Sequence, residues 1–251
     1  MLEWRADDPN DLDQVLAANP APWITRAALE EQKASVHELA FKRYHANCWT
    51  GGQSPFITAD AWDCCAGPPT IDADDRVVVG LDASIRHDCT AVTVVARRRD
   101  DTYDALFRVW TPERGSEVPL GEVEEFVREL ARHFRVERVV YDEYFFHHAA
   151  QRLEQDGIEM WAWRHAKMVS ATRTLLDIVR AGRLRHGGDP IARRHALAAE
   201  VAEREQGLLI SKRRTREPID ALVSLAMAVE MAAGLEPPRP SVYEERTLVS
   251  A

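Results

Sequence analysis

Cysteine is scarce: 251 residues hold four, at Cys48, the adjacent Cys64 and Cys65, and Cys89. None has C-x-x-C spacing and no histidine cluster completes a set, which excludes a structural zinc site. No window approaches 18 uncharged apolar residues, so a membrane-spanning helix is excluded. The opening "MLEWRADDPNDLDQ" is acidic and has no apolar core, so it is no secretory signal. With no export signal, the cysteines read as reduced thiols of a cytosolic compartment. A G-x-x-x-x-G-K-[ST] phosphate loop is missing, since "WTGGQS" lacks the lysine, and ATP hydrolysis is not assigned to this chain. Net positive charge is lacking too: the formal charge of −9 argues against a passive nucleic-acid coat. It still allows an enzyme whose carboxylates gather at a metal while cations line a groove. Such cations exist in "ARRR" (96–99), "RLR" (183–185), "ARRH" (192–195) and "SKRRTR" (211–216).

What is present is an ordinary globular composition, 45% hydrophobic and 29% charged. Residues 1–75 carry Trp4, Trp23, Trp49 and Trp62, several prolines and no convincing strand, and read as a helical arm or connector. Within them "TRAALEEQKASVHELAFKRYHA" predicts a helix with Thr25 as N-cap, and "TADAWDCCAG" a helical turn. From residue 76 to 235 the pattern becomes α/β. "RVVVGLD", "TAVTVVARRR" and "ALFRVWT" predict three strands in an antiparallel meander. "PLGEVEEFVRELARHF" predicts an amphipathic helix with Leu120, Val123, Phe126, Val127, Leu130 and Phe134 on one stripe.

"VERVVYDEYFF" predicts a fourth strand, "HAAQRLEQDG" a short helix and "IEMWAW" a fifth strand. "SATRTLLDIVRAG" predicts a helix closed at Gly182. "DPIARRHALAAEVAEREQG" predicts a long polar helix, "LLISK" a short strand and "EPIDALVSLAMAVEMAAG" an apolar helix. Residues 236–251 read as a flexible tail.

Three carboxylates stand where core elements begin or end. Asp82 closes strand one, Asp142 closes strand four, and Asp220 opens the last helix. Parallel neighbouring strands would put Asp82 and Asp142 on the carboxyl edge where α/β sheets bind ligands, and the last helix could bring Asp220 there. Clustered carboxylates repel unless a cation joins them, and an all-oxygen set suits Mg²⁺ or Mn²⁺. Two such ions would serve phosphodiester hydrolysis. Glu143 beside Asp142 is an alternative ligand, although position at the strand end favours Asp142. Asp88 either tethers its loop or supports the ligands from behind. Ser224, four residues beyond Asp220 on the same helix face, is small enough to leave room for a metal and a phosphate.

This order of elements resembles the ribonuclease H-like fold: a mixed sheet of a three-strand antiparallel meander plus parallel strands, flanked by helices, with an N-terminal helical arm. More specifically, "FKRYHANCWTGG", "WDCC", "VVVGLDASIRHDCTAV", "VVYDEYF", "GRLRHGGDP" and "ISKRRTREPIDALVSLAMAVE" resemble the nuclease domain of the large terminase subunit of tailed bacteriophages, over residues 38–232. The resemblance implies a hydrolase, a Mg²⁺- or Mn²⁺-dependent endonuclease that cuts concatemeric double-stranded viral DNA during genome packaging. Asp82, Asp142 and Asp220 would be its metal ligands. Lys212 would touch DNA phosphate or position a water, and Arg213, Arg214 and Arg216 would hold the backbone. Implied partners are DNA, the ATPase motor, the portal and the small terminase subunit, in the cytoplasm of a bacterial host. The chain reads as the nuclease part alone, an excised domain or a separate gene product. Rival readings are a catalytically silent module docking on portal or small subunit, a recombinase or transposase of the same fold, and an actin-like phosphotransferase. "DASIRHD" lacks the glycines and threonine the last would need.

Overall fold

The structure, a computed structural model, describes residues 4–36, 38–48, 55–83, 89–112, 116–204, 207–211 and 217–236. The chain forms two compact units, Met1–Ser54 and Pro55–Ala251.

The first unit contains α1 (Leu12–Ala17), α2 (Arg26–Ser35) and α3 (Glu38–Tyr44), closed around Ala6, Val15, Ala18, Leu29, Phe41 and Ala46. Asp11 caps α1 and Thr25 caps α2, each side chain accepting first-turn N–H groups. The single helix expected over 25–46 is broken, because Val36 is extended at φ −101° and ψ 158°.

The second unit begins at Pro55, well before the change of composition at residue 75. Its first helix, α4 (Ala59–Asp63), is capped by Thr58 and buries Trp62. The Trp62 ring stacks on His186 with centroids 4.2 Å apart, and its carbonyl lies 2.9 Å from His186 Nε2. Because Gly188 N–H donates to Nδ1, the Nε2–H must donate to Trp62 and the imidazole is neutral. Burial pushes its pKa below the ordinary value of 6.5. The unfolded chain therefore binds the proton more readily than the native one. This contribution to stability is complete above about pH 6.5 and falls as the pH drops below it. The wild-type chain should lose stability relative to His186→Gln between pH 7.5 and 5.5, by at most about 1.4 kcal/mol per pH unit. Urea unfolding at a series of pH values checks this, and parallel profiles would refute it.

Among the described residues the sheet has six strands: β1 (Arg76–Asp82), β2 (Thr90–Arg97), β3 (Tyr103–Trp110), β4 (Arg135–Tyr141), β5 (Met160–Ala162) and β6 (Leu184–Arg185). The order is β5-β4-β1-β2-β3-β6. β1–β2 and β2–β3 are antiparallel, as the meander predicted, while β1–β4, β4–β5 and β3–β6 are parallel.

Alternation divides the two faces. Val77, Val79, Leu81, Val92, Val94, Val139 and Tyr141 pack against α5 (Leu120–His133) and α6 (Glu143–Gln155), through Val123, Val127, Leu130, Phe146, Ala149 and Leu153. Burying each of these aliphatic side chains contributes about 1.5–3 kcal/mol before entropy is counted. The opposite face carries α9 (Asp220–Ala233), which is apolar almost all round and buried along most of its length. Between them in sequence lie α7 (Met168–Arg180), α8 (Pro190–Ala198), and the separate hairpin of β7 (Glu200–Arg204) and β8 (Gly207–Ser211).

Two expectations are corrected. The fourth strand, expected to close on Asp142, stops one residue earlier at Tyr141, and the helix expected from His148 starts at Glu143, because Asp142 Oδ1 accepts the N–H of Tyr144 and caps it. The long helix read from residue 189 ends at Ala198. Pairing of Val201 with Ile210 makes residues 200–204 a strand, so tertiary pairing overrides a helix-prone sequence.

Candidate active site at the carboxyl edge of the sheet

β1, β4 and β5 run parallel, so their carboxyl ends share one edge. Leu81 is in register with Tyr141, and the Asp142 N–H reaches Leu81 O at 3.3 Å. Asp82 and Asp142 therefore leave neighbouring strands at one level. Alternation also gives them a common face: Leu81 and Tyr141 belong to the core beneath α5 and α6, so the next residues turn toward the α9 side.

Gly80 fixes where α9 lies. A Cβ built there would stand 2.0 Å from Ser224 O and 3.0 Å from the Ala228 side chain. The far end of the helix is held at the opposite edge, where Arg97 on β2 donates to Ala233 O and Leu235 O at 3.0 and 2.9 Å. The helix thus runs antiparallel to β1. From Ser224 back to Asp220 is four residues, about 6 Å of helix, and from Gly80 to Asp82 is two residues, about 6.5 Å of strand. Both carboxylates consequently reach the same height. The brace is closed by Thr93 and Ser224, whose hydroxyls lie 2.6 Å apart, with Ser224 Oγ donating to Ala221 O at 3.0 Å.

Asp82 is 2% exposed and Asp220 0%. Burying ionised carboxylates is costly unless other groups compensate. Both residues have a partner within the protein, and the Oδ2 atom of each is buried. This chemistry fits a hard cation, which takes carboxylate oxygen. The Asp142 side chain is 28% exposed; its Oδ1 serves the α6 cap, and its Oδ2 is 3.9 Å from His165 Nε2. Among the described residues, no three His, Cys, Asp or Glu side chains are gathered into a group able to hold a metal ion. Asp82 and Asp142 leave one edge of the sheet on one face and Asp220 reaches the height of Asp82, with Asp142 committed to its helix cap.

Glu143 points away from this arrangement: it is 61% exposed in the first turn of α6 and 3.7 Å from His147. Ser224 is buried and occupied by the helix–sheet brace. Asp88, Lys212, Arg213, Arg214 and Arg216 lie outside the described residues.

His195 went unread in the sequence. It is 0% exposed on α8, and its Nδ1 accepts the N–H of Ala221 at 3.1 Å, which leaves the ring proton on Nε2. A neutral imidazole thereby satisfies one of the open N–H groups at the start of α9, immediately after Asp220. The histidine lies in a polar helical stretch whose pattern carries no signal for it.

The family profile described as terminase large subunit, endonuclease domain, matches residues 17–117 and 115–236. The large terminase subunit of Enterobacteria phage HK97 is 24% identical over 257 residues, covering 87% of this chain and 51% of that protein. The crystal structure of the HK97 large terminase superposes with a TM-score of 0.65 at 23% identity, covering 91% of this chain and 56% of that one. The nuclease of the large terminase from thermophilic phage G20c, solved with bound magnesium, gives a TM-score of 0.52 at 14% identity, covering 70% and 96%. The architecture is thus that of ribonuclease H-like terminase nuclease domains. The chain spans about half the length of the HK97 protein. With well over half of its residues matched by that profile, the chain belongs to the family of terminase large subunit endonuclease domains.

Proposed function

We propose that this chain is a divalent-metal-dependent endonuclease that cuts double-stranded viral DNA concatemers during phage genome packaging. Asp82, Asp142 and Asp220 are the side chains that hold Mg²⁺ or Mn²⁺, as two ions. The observation that carries this reading is the register of α9 on β1, with Gly80 beneath Ser224, because it brings two buried carboxylates from distant segments to one level of one edge. The magnesium bound by the G20c nuclease supports the choice of metal.

When bound, such ions activate a water and stabilise the leaving oxygen of a phosphodiester. The protein's own part is to fix charge and position. Asp82 and Asp220, held by strand and helix backbone, present oxygens with little freedom to lose, and the close-packed α9 face excludes bulk water behind them. Asp142 closes the third side, with His165 Nε2 3.9 Å from its carboxylate. Lys212, Arg213, Arg214 and Arg216 hold the DNA backbone, and such contacts give affinity without sequence preference. The motor, portal and small subunit are the partners of this reading, and the bacterial cytoplasm its compartment. No helix among the described residues is long and apolar enough to cross a membrane.

Supercoiled plasmid incubated with the chain should be nicked in Mn²⁺ and left intact in EDTA. Cutting that persists in chelator would contradict the metal mechanism. A readout independent of activity is thermal unfolding. Mn²⁺ at about 100 times its dissociation constant should stabilise the native state by about 2.7 kcal/mol. The Asp82→Asn/Asp220→Asn double variant should lose that shift. An equal shift in the variant would place the ion elsewhere.

A further inference from the structure

Beside Asp142, the α9 face of β4 and β5 holds a cavity of about 350 Å³, lined by Val140, Trp161, Trp163, Arg164, Lys167 and Met231. Four properties set it apart. First, it adjoins the catalytic edge: Ala162 is in register with Tyr141, and the Trp163 N–H donates to Tyr141 O at 2.8 Å, so Trp163 is level with Asp142. Second, it contains an unmet donor. Trp163 is 5% exposed, and its Nε1–H is buried with no hydrogen-bond partner. A buried donor left open costs about 1–3 kcal/mol.

Third, its cations are uncommitted. Several other arginines are tied to carboxylates: Arg76 to Glu137, Arg97 to Asp101, Arg98 to Asp104, Arg128 to Asp156, Arg152 to Glu124 and Arg193 to Asp63. Arg164 and Lys167 are exposed and make no ion pair among the described residues, although the whole chain carries a charge of −9. Arg164 precedes the short 3₁₀ turn His165–Lys167 and Lys167 ends it, feeding directly into α7; no side chain caps that helix, so its positive end faces the same region. Fourth, Trp161 is 42% exposed, with the Arg138 guanidinium 4.5 Å from its ring centre, which leaves an aromatic surface beside the charges.

An acceptor-rich anion of nucleotide dimensions matches a cavity of this size, two free cations and an aromatic wall. We propose that Trp163, Arg164 and Lys167, with Trp161 as the wall, form a subsite for the phosphodiester backbone of the DNA strand next to the scissile bond. This deepens the endonuclease reading and rests on it. The subsite is separate from the basic segment 212–216. It gives an acidic protein a local positive contact where an anionic substrate must approach three carboxylates.

The test is a titration of the full ¹⁵N-labelled chain with a 12-base-pair duplex in Ca²⁺, followed by heteronuclear NMR, which reads binding even when weak. Indole signals are assigned with Trp161→Phe and Trp163→Phe. Both indole N–H resonances should move in saturable fashion. Arg164→Ala/Lys167→Ala should weaken binding about tenfold and lower the slope of log affinity against log salt by about 2, near 0.9 for each lost phosphate contact. Arg132→Ala, an ion-paired exposed site on α5, should change neither quantity. If DNA shifts other resonances but leaves both indoles and the salt slope untouched, the subsite is refuted while the nuclease reading stands. If no resonance anywhere responds to DNA, the nuclease reading fails and the subsite falls with it.

Discussion

Asp82→Asn and Asp220→Asn should each lower metal-dependent plasmid cleavage by about 10³-fold or more, with the fold retained. The size follows from the role. Removing a group that only orients a metal ligand typically costs 10–100-fold, and removing the ligand's own charge costs more. Asparagine keeps the volume and one carbonyl oxygen, so the packing of β1 and of the first turn of α9 survives. Both carboxylates are buried. In metal-free buffer the variants should therefore unfold at a temperature no lower than the wild type, since each removes a desolvated charge from a site where charges repel. Asp142→Asn isolates charge in the same way, because asparagine also caps a helix and can still accept the Tyr144 N–H. Circular dichroism melting and timed plasmid digestion in Mn²⁺ check the set. Near-wild-type cutting by Asp82→Asn or Asp220→Asn would remove the metal-ligand assignment.

The features legible in the sequence were those a short pattern can carry. Valine-rich segments marked β1, β2 and β4, and the stripe through Val123, Val127 and Leu130 marked α5. Three aspartates next to apolar runs were visible as misplaced charge. What escaped depends on partners distant in the chain. "EYFF" has strand-like aromatics that hide a helix start, and the cap that marks it is the Asp142 side chain accepting the Tyr144 N–H. "EVAER" consists largely of helix formers, and pairing with β8 across a hairpin overrides them. Residues 55–75 looked like part of a connector because they hold three prolines and no strand pattern. They are held by contacts no local pattern records: Trp62 on His186, and Arg98 reaching Thr70 O, Asp75 and buried Asp104. His195 gave no signal either, since its partner is a backbone N–H on another helix. Gly80 did give one. An isolated glycine inside a valine run points to close backbone approach. Its meaning appeared only with the helix carbonyl lying over it.

Gly80→Ala should be the most damaging alanine substitution among the described glycines, since its Cβ meets the shortest contact. The new Cβ would lie 2.0 Å from the Ser224 carbonyl oxygen and 3.0 Å from its carbon, both backbone atoms of a buried helix. No rotamer change relieves such a contact. Either β1 or α9 has to move by more than 1 Å, and ordinary overpacking in a core already costs about 1–3 kcal/mol. A loss of about 3 kcal/mol or more is expected in urea unfolding, together with weakening of the Thr93–Ser224 hydrogen bond. Activity should fall further than stability. Ser224 is one turn from Asp220, so a helix lifted off β1 carries that carboxylate away from Asp82, and a misplacement near 1 Å can cost about 10²-fold in rate. The variant measured well below its melting temperature, fully folded by circular dichroism, should still cut plasmid about 10²-fold more slowly than wild type in Mn²⁺. Unaltered cleavage by folded Gly80→Ala would mean that the seating of α9 on β1 does not set the spacing of the two carboxylates, and the geometric basis of the site would be lost.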